Sequence, residues 1–169
     1  MSDAATSNAA ALGKQLTSSD AAQRAKAAEQ LSRTGESAAP AAVSLVQACG
    51  DNNESIREWA VAALEDLGPP PSGAIGGLIE LVKNPDPLVA YWAVTLLGRS
   101  GQDAATAVAA LAACIESSAD LSVRQRAAWA LGKIGSVAAS ARSTLERAAG
   151  QGDERLARLA KEALAAIGS

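Results

Sequence analysis

Residues 120–135 read DLSVRQRAAWALGKIG, and this stretch decides the fold. Apolar residues recur in it every three or four positions, which is the spacing of one face of an α-helix. These residues are Val123, Ala127, Leu131 and Ile134. Asp120 is a favoured N-cap, since its carboxylate can accept hydrogen bonds from the unpaired amides of the first turn. Gly135 is typical of the left-handed residue that ends a helix. The stretch therefore predicts one amphipathic helix with both ends marked.

The same pattern recurs along the chain at intervals of 33 or 34 residues. The predicted caps are Asp20, Asn53, Asp86, Asp120 and Asp153. The aligned leucines are Leu31, Leu64, Leu97, Leu131 and Leu164, each followed four residues later by Gly35, Gly68, Gly101, Gly135 or Gly168. A second helix fits between successive copies, aligned by Leu45, Leu78, Leu111 and Leu145. A fixed period of this length predicts stacked helical hairpins, each made of a first and a second helix.

The repeat resembles the short HEAT-like repeats first grouped with phycobilisome lyase subunits. The likeness rests on D-x-x-x-R early in the first helix and A-x-x-x-L-x-x-[LI]-G late in it, as at 120–135 and in NESIREWAVAALEDLG at 53–68. The resemblance implies that the second helices line a concave face. It also places the family's arginine at Arg24, Arg57 and Arg124, which we expect to bond and pack between successive repeats.

We therefore predict an all-α, right-handed α-solenoid of about five 33-residue HEAT-like hairpins, with ten helices in a single domain over 1–169. The predicted parts are a half-repeat cap at 1–19, repeats at 20–52, 53–85, 86–119 and 120–152, and a terminal half-repeat at 153–169. A core built from Leu, Ile, Val and Ala agrees with this fold, because the chain has no Phe and only four aromatic residues.

The residue types needed for most catalysis are missing. The chain has no histidine, and its two cysteines, Cys49 and Cys114, form no CxxC pair. The sequence also lacks GxSxG, GxxxxGK[ST] and HExxH motifs. We predict a protein that is not an enzyme and that uses no cofactor and no metal. The two cysteines are interpreted as small buried hydrophobic residues.

The first 20 residues have no basic start and no apolar run, and nowhere do 18 apolar residues follow one another. This pattern predicts a cytoplasmic protein without a membrane partner. Residues 1–120 carry 7 basic and 14 acidic side chains, whereas residues 121–169 carry 8 and 4. The acidic balance of the whole chain argues against nucleic acid as the main partner, because phosphate binding needs a concentrated basic surface.

Two surfaces supply candidate partner-binding residues. On the first helices these are the aromatic residues Trp59, Tyr91, Trp92 and Trp129. Trp59 and Trp92 share a position at the border of the apolar stripe, while Tyr91 and Trp129 fall on the outer side. Exposed aromatic rings often anchor partners, but these rings could instead pack between adjacent first helices with one edge in solvent. On the second helices the candidates are Gln47, Glu80, Ala113 and Arg147, within a surface rich in small residues that suits a docked helix or a second copy of the chain.

The leading hypothesis is a non-catalytic protein–protein interaction scaffold that binds a protein partner or forms a homo-oligomer. One alternative is an accessory subunit of a bilin-lyase-like complex, which only the resemblance suggests. Another is weak nucleic-acid binding through the basic C-terminal repeats.

Overall fold

The computed structural model describes residues 2–168, and side chains from residue 5 onwards. This part of the chain contains helices, turns and bends and no strand, so the all-α prediction is confirmed. The α-helices are α1 (Ser2–Gln15), α2 (Ala21–Ser32), α3 (Ala42–Ala48), α4 (Glu54–Glu65), α5 (Ile75–Leu81), α6 (Pro87–Arg99), α7 (Val108–Ser117), α8 (Leu121–Ile134), α9 (Arg142–Ala149) and α10 (Glu154–Gly168). The handedness of the predicted solenoid stays a prediction.

The chain forms two compact units, residues 1–77 and residues 78–169. In the first unit α2 packs against α4, and α1 packs against α2 and the segment Gly35–Ala41. In the second unit the first helices α6, α8 and α10 lie side by side, since α8 packs against both α6 and α10. The second helices α7 and α9 pack against α8 and α10 respectively. The division into predicted repeats stays a prediction.

The predicted N-caps are confirmed at all five positions. Each side chain accepts a hydrogen bond from a backbone amide of the following turn, with the shortest bonds 2.7 to 3.0 Å long. The residues are Asp20, Asn53, Asp86, Asp120 and Asp153. Because these bonds satisfy amides that the helix itself leaves unpaired, they fix where α2, α4, α6, α8 and α10 begin.

The recurrent glycine is confirmed as a left-handed residue in four of the five repeats. Gly35, Gly68, Gly101 and Gly135 have φ between 54° and 75°. A Cβ at Gly35 or Gly135 would meet nothing within 4 Å, so the backbone conformation and not crowding requires glycine there. The prediction is wrong at Gly168, which is the last described residue of α10 and has no left-handed φ.

Helical structure continues directly after three of these glycines. Short 3-10 helices occupy Gly35–Ala41, Gly101–Ala107 and Gly135–Ala141, and each leads straight into the second helix of its hairpin. The sequence pattern predicted only short loops here. The apolar columns are buried as predicted: the alanines Ala27, Ala60, Ala93, Ala127 and Ala160 are fully buried, as are all the aligned leucines except the half-buried Leu164.

Candidate partner-binding site

Aromatic and cationic side chains meet on the outer surface of α6, α8 and α10. The Cζ atom of Arg126 on α8 lies over two rings, 4.8 Å from the centroid of Tyr91 and 4.4 Å from the centroid of Trp129. Cations are attracted to aromatic faces by the ring quadrupole, so both rings attract this guanidinium. We call this cluster the arginine stack.

A buried threonine fixes the direction in which Arg126 points. Its Nε donates to Thr95 Oγ1 over 2.9 Å, and the Thr95 hydroxyl donates to the Tyr91 carbonyl oxygen over 2.7 Å. Thr95 is fully buried, so its hydroxyl is a rigid acceptor. Among the described residues, the two Nη groups of Arg126 donate no hydrogen bond, and they are left for a ligand or for water.

Gly98 on α6 makes room for the Trp129 ring. A Cβ at Gly98 would lie 2.4 Å from Trp129 Cζ3 and 3.0 Å from the Ala130 Cα atom. The ring can approach α6 only because this side chain is absent. Lys133, one turn further along α8, lies 5.9 Å from the Trp129 centroid and adds a second cation beside the ring.

The arginine stack borders an open groove of about 140 Å³, lined by Tyr91, Ser122, Gln125, Arg126, Trp129, Arg155 and Leu159. A neighbouring hollow of about 220 Å³ shares Trp129 and Leu159 with the groove. Its floor consists of small residues, Ala128, Gly132, Ala163 and Ala166, and Lys133 and Glu162 lie at its rim. Together these two depressions run along the line where α8 meets α10.

The predicted aromatic candidates have different environments. Trp59 in the first unit is 38% exposed, whereas Trp92 at the equivalent position is only 6% exposed. Trp92 is therefore a core residue and not a border residue, because it packs edge to face with Tyr91 at 6.0 Å and lies under Arg99 at 5.7 Å. Tyr91 and Trp129 are half-buried, which agrees with the interpretation that such rings pack between adjacent first helices with one edge in solvent. Their role in partner binding stays a prediction.

The second-helix candidates form no comparable cluster. Gln47 and Glu80 are exposed, and Ala113 is half-buried. Arg147 forms an ion pair with Glu116, whose carboxylate also accepts from Thr144 over 2.9 Å. The hydrogen bond from Thr144, followed by that from Arg147, lowers the pKa of Glu116. Arg147 thus has a carboxylate partner within its own chain, unlike Arg126.

The arginines that the resemblance singled out connect parts of the fold, as expected. Arg24 on α2 donates to both carboxylate oxygens of Asp51, at 2.7 and 3.2 Å, and Asp51 precedes α4. Arg57 donates to the Asp51 carbonyl oxygen over 2.8 Å. Arg124 donates to the Ile115 carbonyl oxygen over 2.9 Å and to Gln151. These bonds give the three arginines a structural role.

The rest of the described chain offers little reactive chemistry. Cys49 and Cys114 are buried thiols, as predicted, and burial raises the pKa of Cys114 to about 11. Within residues 2–168 no three His, Cys, Asp or Glu side chains gather as metal ligands would. None of the described helices combines the length and the apolar character that a membrane crossing needs.

Repeated capped hairpins whose first helices pack side by side within each unit define a helical repeat protein. Residues 75–165 match the family model of HEAT repeats. The chain belongs to the HEAT repeat family, and the resemblance seen in its sequence is confirmed. Among curated proteins, none matches the chain.

Solved structures with a similar fold include an engineered protein, a designed armadillo repeat protein and a complex of phycocyanin lyase chains. An engineered protein is 24% identical over 95% of this chain and 79% of its own, with a TM-score of 0.65. A designed armadillo repeat protein in complex with the peptide (KR)4 is 18% identical over 94% of this chain and 81% of its own, with a TM-score of 0.68. The complex of CpcE and CpcF of phycocyanin lyase from Nostoc sp. PCC7120 gives 25% identity over 92% of this chain and a TM-score of 0.63. The match spans 63% of that last chain.

Proposed function

We propose that this protein is a non-catalytic scaffold that binds a protein partner through the outer surface of α6, α8 and α10. The observation that carries the proposal is the arginine stack, in which Arg126 lies over the rings of Tyr91 and Trp129 with its two Nη groups free of intramolecular hydrogen bonds in the described structure. An arginine and a tryptophan beside a groove are the residue types that most often dominate binding energy at protein interfaces.

The fold supports the same function. Helical repeat proteins present long, continuous surfaces that suit protein partners. Two of the similar structures were solved with a binding partner, one with a peptide and one as the CpcE and CpcF complex.

Affinity capture from an extract of the source cell tests this function. The immobilised wild-type protein is expected to retain a defined partner, identified by mass spectrometry. Trp129→Ala should lose that partner, whereas Arg147→Ala, on the second-helix surface, should retain it. Capture of no partner, or substrate turnover by the purified chain alone, would contradict the proposal.

A second candidate function is that of an accessory subunit in a bilin-lyase-like complex. The observation that favours it is the similarity to the CpcE and CpcF complex. Mixing the protein with a bilin, in the presence of the captured partner, should then shift the absorbance spectrum of the bilin. An unchanged spectrum would exclude this candidate and leave the scaffold function untouched.

A further inference from the structure

We propose that the groove beside the arginine stack recognises an acidic peptide segment of the partner. In this proposal one Asp or Glu carboxylate of the segment binds Arg126 and Arg155, and a neighbouring aliphatic side chain enters the hollow beside Trp129. This inference rests on the proposed scaffold function, and it specifies the chemical class of partner segment that binds the groove.

Arg126 has the geometry for a bidentate carboxylate bond. Its Nε donates to Thr95, and its Cζ atom lies over the rings of Tyr91 and Trp129. The two Nη groups donate no hydrogen bond among the described residues, and such a pair of N–H donors matches the two oxygens of a carboxylate. Because the side chain is ordered before binding, little conformational entropy is lost when the carboxylate arrives.

Arg155 adds a second cation to the same groove. It is exposed on α10, and in the described part of the chain it forms no hydrogen bond and no ion pair. The nearby acid Asp153 accepts from the Leu156 amide and from Gln125 Nε2, at 2.7 and 2.9 Å, and within the described residues forms no salt bridge with Arg155. These bonds lower the pKa of Asp153 and keep it ionised as a helix cap. Arg126 and Arg155 thus form no ion pair within the described structure, and a carboxylate in the groove would complement both charges.

The hollow beside Trp129 determines which side chain of the peptide segment can lie next to its carboxylate. Its floor of Gly132, Ala163 and Ala166 has no large side chain, and its volume is about 220 Å³. An aliphatic side chain such as leucine fits such a depression and would cover apolar surface between Trp129 and Leu159. Lys133 at the rim provides a further contact for an acidic segment.

The same residues fit nucleic acid poorly. Binding of single strands combines a basic track with free aromatic faces on which bases stack. Here Arg126 lies against both Tyr91 and Trp129. Two other arginines of the basic region are paired within the chain, Arg147 with Glu116 and Arg158 with Glu162. A protein segment with isolated carboxylates is therefore the occupant that this groove favours.

Fluorescence anisotropy with short labelled peptides tests the proposal on the full-length chain. The probe is a terminally blocked peptide in which two glutamates flank a leucine. Three matched peptides replace the glutamates with glutamines, with lysines, or with one phosphoserine, and a labelled single-stranded DNA serves as a further probe. The protein variants are Arg126→Gln, Arg155→Gln and, as a charge-matched control, Arg142→Gln at the exposed start of α9.

We expect the glutamate peptide to bind wild-type protein more tightly than the glutamine and lysine peptides do. Its affinity should fall as the salt concentration rises. Arg126→Gln should lower the affinity for the glutamate peptide about tenfold or more, because a charge-assisted bidentate bond is lost. Arg155→Gln, which disturbs no intramolecular bond, should weaken it by a smaller factor, and Arg142→Gln should leave it unchanged. Circular dichroism checks that each variant remains folded.

Several outcomes would overturn the inference: equal binding of the glutamine peptide, tighter binding of the phosphoserine peptide or of DNA, an equal loss with Arg142→Gln, or no peptide binding at all. The scaffold function fails separately. If the captured partner is lost with Trp129→Ala but kept with both Arg126→Gln and Arg155→Gln, the scaffold function stands and the carboxylate recognition is wrong.

Discussion

At the scale of single residues, the packing of α8 against α6 requires that Gly98 has no side chain, because the Trp129 ring fills that space. Glycine inside a helix costs about 1 kcal/mol relative to alanine. At Gly98 this cost is offset because the Trp129 ring occupies the space of the missing side chain. At Gly76 in α5 no packing offsets the cost of glycine, since a Cβ there would meet nothing within 4 Å.

We predict opposite effects of alanine at these two glycines. Gly98→Ala should lower the free energy of unfolding by about 1 to 3 kcal/mol, because the Trp129 ring or the α8 backbone must move. Gly76→Ala should raise it by about 0.5 to 1 kcal/mol through helix propensity alone. Urea unfolding followed by circular dichroism measures both. Stabilisation by Gly98→Ala would show that the close approach of α8 to α6 is not required.

The two tryptophans of the second unit differ in burial, and the stability lost on replacing each of them should differ in the same order. Trp92→Ala should lower the free energy of unfolding by about 3 to 5 kcal/mol, since it removes a buried aromatic side chain. Trp129→Ala should cost less, because the ring is half-buried and part of its contact is with the half-buried Arg126. Parallel urea titrations of the two variants provide the comparison. A larger loss for Trp129→Ala would contradict the assignment of its ring to the outer surface.

At the scale of helices, the sequence predicted local features well. Caps, left-handed glycines and buried columns depend on residues within one or two turns of each other, and the pattern predicted them with Gly168 and the half-buried Leu164 as the exceptions. It missed the 3-10 helices because segments such as GQDAATA at Gly101–Ala107 contain no periodic apolar stripe of their own, and their helical turns depend on tertiary packing.

The arginine stack shows why the candidate site could be predicted only in part. Tyr91 and Trp129 were correctly placed on the outer side of their helices by periodicity. Arg126, three residues before Trp129, was not singled out, although that spacing puts two side chains on one helical face. Its contact with Tyr91 and its bond to Thr95 depend on how α6 and α8 lie against each other, which a single sequence does not specify.

The contact between α2 and the loop before α4 predicts a pH dependence. Hydrogen bonds from Arg24, and secondarily from the Asn53 amide, lower the pKa of Asp51. An aspartate in the unfolded chain has a pKa of about 3.9, so the ionised carboxylate stabilises the folded state above that value. This stabilisation is lost as the pH falls through the lower pKa of the folded state.

We therefore expect Asp51→Asn, which keeps the acceptor but removes the charge, to be less stable than wild type at neutral pH. The difference in free energy of unfolding should shrink as the pH falls below about 4. Asp66→Asn, at the exposed end of α4, is the control for the same substitution at a site without an ion pair in the described structure. Urea unfolding at a series of pH values measures both variants. A difference between wild type and Asp51→Asn that is independent of pH would contradict the proposed role of the ion pair.

At the scale of the whole molecule, the first and last described helices of the chain differ in how many apolar side chains they bury. In α10 five residues are buried: Leu156, Leu159, Ala160, Ala163 and Ile167. In α1 the buried apolar side chains from residue 5 onwards are Ala9 and Leu12, with Leu16 just beyond the helix. The sequence predicts that Ala4 belongs to the apolar face of this helix, but its side chain lies outside the described set.

Hydrogen exchange should report this difference. We predict that the amides of α1 exchange earlier than those of α10, because fewer buried contacts oppose their opening. Mass spectrometry of peptides from residues 2–17 and 154–168 provides the measurement. Slower exchange in α1 than in α10 would contradict the prediction.

The regular spacing of cap and glycine affects which insertions and deletions in the gene the fold can tolerate. Each first helix has its own cap, its own alanine and leucine columns and, in four repeats, its own left-handed glycine, all at nearly the same interval. A duplication or deletion of one whole interval in the gene therefore keeps every local signal in phase with its neighbours. A change of a few codons within an interval shifts the apolar stripe relative to the cap. Lineages of such a gene should consequently differ in length by whole intervals much more often than by parts of one.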